Sequence, residues 1–429
     1  MNNNLVKNKI KTGKLDNGIK YIYNNNNFYS SCCIVFYIRV GSIHETDKNQ
    51  GISHILEHML FKGTKNYQTF MDLNKKFDLI NCSVNAATSK NYTYIDMKLP
   101  YQNLEEGLEL LNEMIFNSLI LETELEKEKK VIYEEFNRTL DDSLTRLEIL
   151  TTEFNFKNHR LSNLILGSKK SIKKLSKKDI MNYYKKYYIP NNCCISIVGN
   201  LPNNIVHKLN KIFILKNSKI IEHKIIEYKN PKNNNFLYKS LKTKLNHISI
   251  SFPLFTIFDI RKYYLDILID ILGGNMTSRL WIALRENNQL VYSFNVFYEC
   301  YEDGGFFSIN FSCANKNVKK TINTIIEILK SLKEIGISLD ELKMTQKKSI
   351  MDIELNSEES CEISEFYGEQ IILDTDLKNY NDIKKIYGKC SVRILGDLCK
   401  TIFNFSKMKI ILLGNLLEKD FKKIISNIN

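Results

Sequence analysis

The apolar positions fall into two periods. "GIKYIYN" (18–24), "SCCIVFYIRVG" (31–41) and "NYTYIDMKL" (91–99) are short β-branched and aromatic runs, the signature of strands. "LEEGLELLNEMIFN" (104–117) instead places Leu104, Leu108, Leu111 and Ile115 at helical spacing. "ELEKEKKVIYEEFNRTLDD" (124–142) predicts a charged helix with a long polar face, and "GISHILEHMLFKGT" (51–64) predicts a largely buried one. The latter is apolar at Ile52, Ile55, Leu56, Met59 and Leu60, with Ser53 available to cap its start. Strands and helices do not alternate strictly, so the expected class is α+β and not a doubly wound sheet.

The pattern repeats at half the chain length. "CCISIVGNLP" (193–202) is echoed by "MKIILLGNLL" (408–417), with Gly199 and Gly414 215 residues apart. "ETELEKEKKVIYEE" (122–135) is echoed by "LDELKMTQKKSIMDIE" (339–354), with Glu124 and Glu341 217 apart. Two similar halves are expected, residues 1–215 and 236–429, joined by the Lys- and Asn-rich linker 216–235.

Composition narrows the class. The 429 residues are 43% hydrophobic and 25% charged, as in globular proteins, and no long uncharged apolar run predicts a membrane span. The net charge of +13 comes from lysines spread along the whole chain, which does not predict a nucleic-acid surface. The densest basic run, "SKKSIKKLSKKDI" (168–180), reads as an amphipathic helix start with Ile172, Leu175 and Ile180 inward and its lysines solvated. Ten cysteines show no C-x-x-C and no disulfide spacing, so buried reduced thiols are expected. The neighbours Cys32–Cys33 and Cys193–Cys194 should point to opposite strand faces. The expected location is the cytoplasm or another reducing intracellular compartment. "MNNNLVKNKIKTGKLDNG" has no apolar signal core, and its four lysines before the first acid leave organellar targeting open.

The chemistry concentrates in "HILEH". His54 and His58 are four apart on a helix, so both rings leave one face, the spacing for two ligands of a tetrahedral zinc. Glu57 leans toward the same site, where a carboxylate can take a proton from a water that the metal has acidified. This H-x-x-E-H order inverts the commoner H-E-x-x-H. The third ligand must come from elsewhere. His44, His159, His207, His223 and His247 show no matching pattern, whereas Glu128 and Glu135 are two helical turns apart on the acidic helix and share a face. Spacing alone does not choose among Glu128, Glu134 and Glu135.

Four stretches in order, "HILEHMLFKGT", "VNAATSKNYTY" (84–94), "EKEKKVIYEE" (126–135) and "GGNMTSRLWIALRENNQLVYSF" (273–294), resemble the M16 (pitrilysin and mitochondrial processing peptidase) zinc metallopeptidases. The resemblance implies an α+β, metallohydrolase-like fold of two M16-type halves closing as a clamshell around a peptide chamber. It implies one zinc per chain, held by His54, His58 and Glu135, with Glu57 as general base and Glu128 assisting. Asn85 and Ala86 would pair with the substrate backbone on an edge strand, and Arg285 and Tyr292 would reach the scissile carbonyl from the second half. The implied activity is endopeptidase cleavage of unfolded peptides; the alternative is a catalytically silent scaffold or a subunit of a processing-type complex. The implied partners are a peptide substrate and a second copy or an M16-like partner in a dimer, with no nucleic acid. In the second half Glu57 and His58 fall on Ile269 and Asp270, and Glu128 and Glu135 on Thr345 and Asp352, so no metal motif recurs there. Two departures stand out. Asn81-Cys82 replaces a Gly-Gly pair before the substrate strand, and Thr145 and Ile149 stand where the processing peptidase has acids. These favour a short, bacterial-like general peptidase.

Overall fold

A computed structural model describes residues 10–229 and 235–426. The first nine residues and part of the expected linker, 230–234, lie outside the described residues. The fold is α+β, with two sheets. The first contains β1 (Lys11–Lys14), β2 (Lys20–Asn25), β3 (Ser31–Ile38), β4 (Ser83–Thr88), β5 (Thr93–Pro100) and β6 (Cys193–Gly199). Its order is β1-β2-β6-β3-β5-β4, with only β2 and β6 parallel. The second contains β7 (Phe236–Ser240), β8 (Asn246–Leu254), β9 (Ser293–Cys300), β10 (Gly305–Cys313) and β11 (Lys409–Gly414), in the order β7-β11-β8-β10-β9. Apart from β1, the two orders match strand for strand, down to the parallel β7–β11 pair. Gly199 and Gly414 end the equivalent strands β6 and β11, so the repeat read from the chain is a repeat of topology.

The chain divides into two compact units, which interleave along the sequence. One comprises residues 1–136, 163–224 and 355–377, and the other 137–162, 225–354 and 378–429. They differ from contiguous halves because each sheet is covered by a helix encoded in the other half. In the first unit, β3 buries Ile34, Phe36 and Ile38 in the main core, among them the residues of the helix Ile52–Met59. Its opposite face carries Cys33, Val35 and Tyr37 and is covered by the helix Ser360–Ile372. Burial on both faces explains why β3 is a continuous apolar run instead of an alternating one. A Cβ at Gly368 would come within 2.3 Å of the Tyr37 ring, so the residue at this crossing has to be small. In the second unit the helix Ser143–Asn155 plays the covering part, packing Leu147 against Ile411 and Leu413. There the buried Lys409 Nζ donates to the carbonyls of Phe154 and Asn155 at 3.0 and 2.9 Å, satisfying the helix end.

The predicted strands and helices occur with ends shifted by at most three residues, except that the histidine helix stops at Met59, five residues short of the predicted 64. In the basic run the helices Lys169–Lys174 and Lys177–Tyr187 are each opened by a serine cap, and Ile172, Leu175 and Ile180 are buried as expected. The cysteine reading needs one correction. Cys32 and Cys33 do face opposite ways, but Cys33 is joined to Cys361 by a disulfide that ties the helix Ser360–Ile372 to β3. Sequence spacing could not reveal a pair 328 residues apart, and the thiols no longer argue uniformly for a reducing compartment. Among the described residues no helix is long and apolar enough to cross a membrane.

Candidate metal centre

The helix Ile52–Met59 presents two faces. Ile52, Ile55, Leu56 and Met59 anchor it in the core, and the other face carries His54 and His58. Its start is not capped by Ser53, contrary to expectation. The cap position is Gly51, at φ +87°, and the free amides are met by Glu45, which accepts from Gly51 N at 2.8 Å and Ser53 N at 3.0 Å. The Ser53 hydroxyl is used instead against the Tyr183 hydroxyl, at 2.8 Å. Burial pushes the Glu45 carboxyl up to about 7, although the two amide bonds hold it down.

One helical turn apart, the two imidazoles lie with ring centroids 4.6 Å from each other. The Nε2 atoms of His54 and His58 are each 3.8 Å from Glu135 Oε2. On its other side, His58 Nδ1 meets Glu128 Oε2 at 3.0 Å, and Glu128 Oε1 pairs with Lys62 Nζ at 2.8 Å. A proton on His58 Nδ1 satisfies this bond and leaves the Nε2 lone pair facing Glu135. Of the three glutamates left open by spacing, Glu134 is exposed, Glu128 takes the far side of His58, and Glu135 faces both rings. Glu57 is 7% exposed, accepts from Thr88 Oγ1 at 2.5 Å, and offers an oxygen within 4.8 Å of ligand atoms of both histidines.

The electrostatics are those of a site that keeps one histidine neutral. Burial, reinforced by His58, lowers His54 to about 3. Burial also disfavours charge on His58, but Glu128, Glu135 and Glu57 outweigh it and raise its pKa. Burial raises Glu57 against the opposing Thr88 bond and the charge of His58. Burial would raise Glu128, but its bonds to His58 and Lys62 win and lower it.

These residues fit a zinc ion. Zn–N and Zn–O bonds of roughly 2.0–2.1 Å in a tetrahedron put ligand atoms about 3.4 Å apart. The two 3.8 Å separations lie just outside that spacing. His54 Nδ1 is buried with no hydrogen-bond partner, while its Nε2 faces Glu135.

Asn85 and Ala86 lie in β4, the edge of its sheet, which among the described residues pairs only with β5. At Asn81-Cys82, where the resembled family has a Gly-Gly pair, Asn81 supplies the left-handed turn at φ +50°, so the approach to β4 is made with asparagine. Arg285 and Tyr292 belong to the second unit. Arg285 sits in the π-helical turn Ile282–Glu286 with its guanidinium 4.5 Å from the Trp281 ring, and Tyr292 is 78% exposed just before β9. Sequence reasoning missed Glu45, Lys62 and Thr88. Lys62 had a signal, since it stands four residues after His58 in a stretch read as one helix, although the helix ends at Met59. Thr88 sits three residues past Asn85. Glu45 had none, because its role depends on a loop returning to a helix start.

The architecture is an α+β fold repeated in two units, and among the described residues the one cluster able to hold a metal lies in the first. The comparisons name its family. The profile "Insulinase (Peptidase family M16)" matches residues 20–169, and "Peptidase M16 inactive domain" matches residues 174–349. The chain is 32% identical to the "uncharacterized zinc protease YmxG" of Bacillus subtilis over 79% of its own length and 82% of that protein. It therefore belongs to peptidase family M16. It is also 31% identical to the mitochondrial-processing peptidase subunit beta of Rattus norvegicus, over 46% of this chain and 40% of that one. A protease from Helicobacter pylori shares the fold with a TM-score of 0.89 at 22% identity, covering 95% of this chain and 99% of that one.

Proposed function

We propose that the protein is a zinc-dependent endopeptidase acting on unfolded peptides or small protein segments. The observation that carries this reading is the pair of 3.8 Å separations from Glu135 Oε2 to His54 Nε2 and His58 Nε2, with Glu57 beside them. His54, His58 and Glu135 would hold the metal, one per chain. Bound zinc supplies Lewis acidity, which acidifies water and polarises a carbonyl. Glu57 takes the proton from the attacking water and delivers it to the leaving amine, and its raised pKa suits both steps. Glu128 fixes the His58 tautomer from the far side, with Lys62 holding Glu128 ionised. The free edge of β4 at Asn85 and Ala86 would pair with an extended substrate backbone. Arg285 and Tyr292 would steady the developing oxyanion.

The test is a peptide-library assay with metal analysis. Wild type should hold one zinc and cleave; Glu57→Gln should keep the zinc and lose at least about 100-fold in rate. Unimpaired cleavage by that variant would overturn the mechanism. A wild type without zinc that co-purifies in a fixed complex would instead indicate a silent scaffold.

A further inference from the structure

The second unit repeats the frame of the first site with different chemistry. The helix Lys262–Leu272 stands where the histidine helix stands in the repeat, and the helix Leu339–Asn356 matches the glutamate helix Glu122–Asp141. The offset of 212 that carries His58 onto Asp270 also carries His54 onto Asp266, and Glu135 falls on Asp352 at 217. All three positions now carry a carboxylate, so the two imidazoles of the first site are replaced by Asp266 and Asp270. Two of these carboxylates, Asp270 and Asp352, come close enough to share one partner, and two like charges at that range repel unless a cation sits between them.

A cation is there. Lys348 Nζ lies 3.1 Å from Asp270 Oδ2 and 2.7 Å from Asp352 Oδ2, bridging the counterparts of His58 and Glu135. At the 217 offset Lys348 corresponds to Val131, an exposed residue of the glutamate helix, so the charge is an addition of the second half. Asp266 is satisfied separately, accepting from the Tyr298 and Tyr387 hydroxyls at 2.9 and 2.8 Å. The position of the base is held by Ile269, so a metal here would have no general base beside it.

We propose that the Lys348 ammonium is a built-in replacement for the metal cation, balancing the helix pair of the second unit and excluding a divalent ion from it. This rests on the metal reading of the first unit only for the analogy. An ammonium on a four-carbon stem is suited to the part, being compact, strongly charged and supplied by the chain in fixed stoichiometry.

The experiment removes the lysine from the full, zinc-loaded chain and offers Ca²⁺, which takes oxygen ligands and does not compete for imidazole. In calcium-free buffer Lys348→Met should lower Tm by roughly 2 °C or more, because Asp270 and Asp352 lose their bridge. Millimolar Ca²⁺ should restore the variant and leave wild type unmoved. Combining Lys348→Met with Asp352→Asn should recover Tm without calcium and abolish the calcium response. This double variant also carries the test if the single one fails to fold. The proposal is overturned by an unchanged Tm in Lys348→Met, by a loss that calcium does not reverse, by an equal calcium response in wild type, or by a response that survives Asp352→Asn. Zinc content of the same samples reports on the first site separately, so failure there is distinguishable from failure here.

Discussion

At the scale of single residues, the site is governed by which atom each side chain leaves free. Glu128 occupies His58 Nδ1, so only Nε2 remains for a ligand, and Lys62 keeps Glu128 charged for that purpose. Glu128→Gln should therefore weaken zinc binding about 10- to 100-fold, measured by competition with a chelating dye. Thr88 holds one oxygen of Glu57, directing the other. Thr88→Val should lower kcat about ten-fold or more with zinc content and KM unchanged, and Thr88→Ser should restore it, because only the hydroxyl is needed. Glu45 gives a pH signature. Its folded pKa, about 7, lies above the unfolded value of 4.5, so the folded state holds the proton more tightly. Its contribution is thus fully present below about pH 4.5 and is lost as pH rises through 7, amounting to at most about 3 kcal/mol. Thermal melts should show wild-type stability falling over that window more steeply than that of Glu45→Gln. HILEH was legible because helical spacing fixes which side chains share a face. Glu135 was not separable from Glu128 and Glu134 by spacing, because the choice depends on how a second helix approaches.

At the scale of elements, the sheet faces decide most. β3 from Cys32 to Ile38 and β11 from Ile410 to Leu413 are apolar facing either way, and that pattern called for a cover on both sides. The cover over β3 is the helix Ser360–Ile372, held by Cys33–Cys361, by Tyr37 Oη donating to Glu365 O at 3.2 Å, and by Ser364 Oγ donating to Ser196 O at 3.0 Å. Gly368→Ala should overpack the crossing with Tyr37 and destabilise the chain by about 1–3 kcal/mol in denaturant melts. This helix was not among the elements expected from the sequence, and no local pattern names its partner, because amphipathicity states that a face is buried without stating against what.

At the scale of the whole chain, each compact unit contains a segment of the other half of the sequence. A fragment ending at residue 215 contains every candidate zinc ligand but lacks the helix Ser360–Ile372, leaving the Cys33, Val35 and Tyr37 face uncovered. It should aggregate or stay partly unfolded by size-exclusion chromatography and near-UV circular dichroism, while the full chain does not. The sequence by itself determined the α+β class, the half-length repeat, the two-histidine face with its glutamate, and the absence of that motif from the second half. Those follow from period and spacing along one chain, which local geometry converts directly into shared faces. Only the tertiary structure decided which glutamate faces both imidazoles, that Glu45 caps the histidine helix, that Cys33 meets Cys361, that the units exchange helices, and that Lys348 sits between two aspartates. Each of these joins positions distant in sequence, and pairings of that kind are set by packing between elements, which no local pattern encodes.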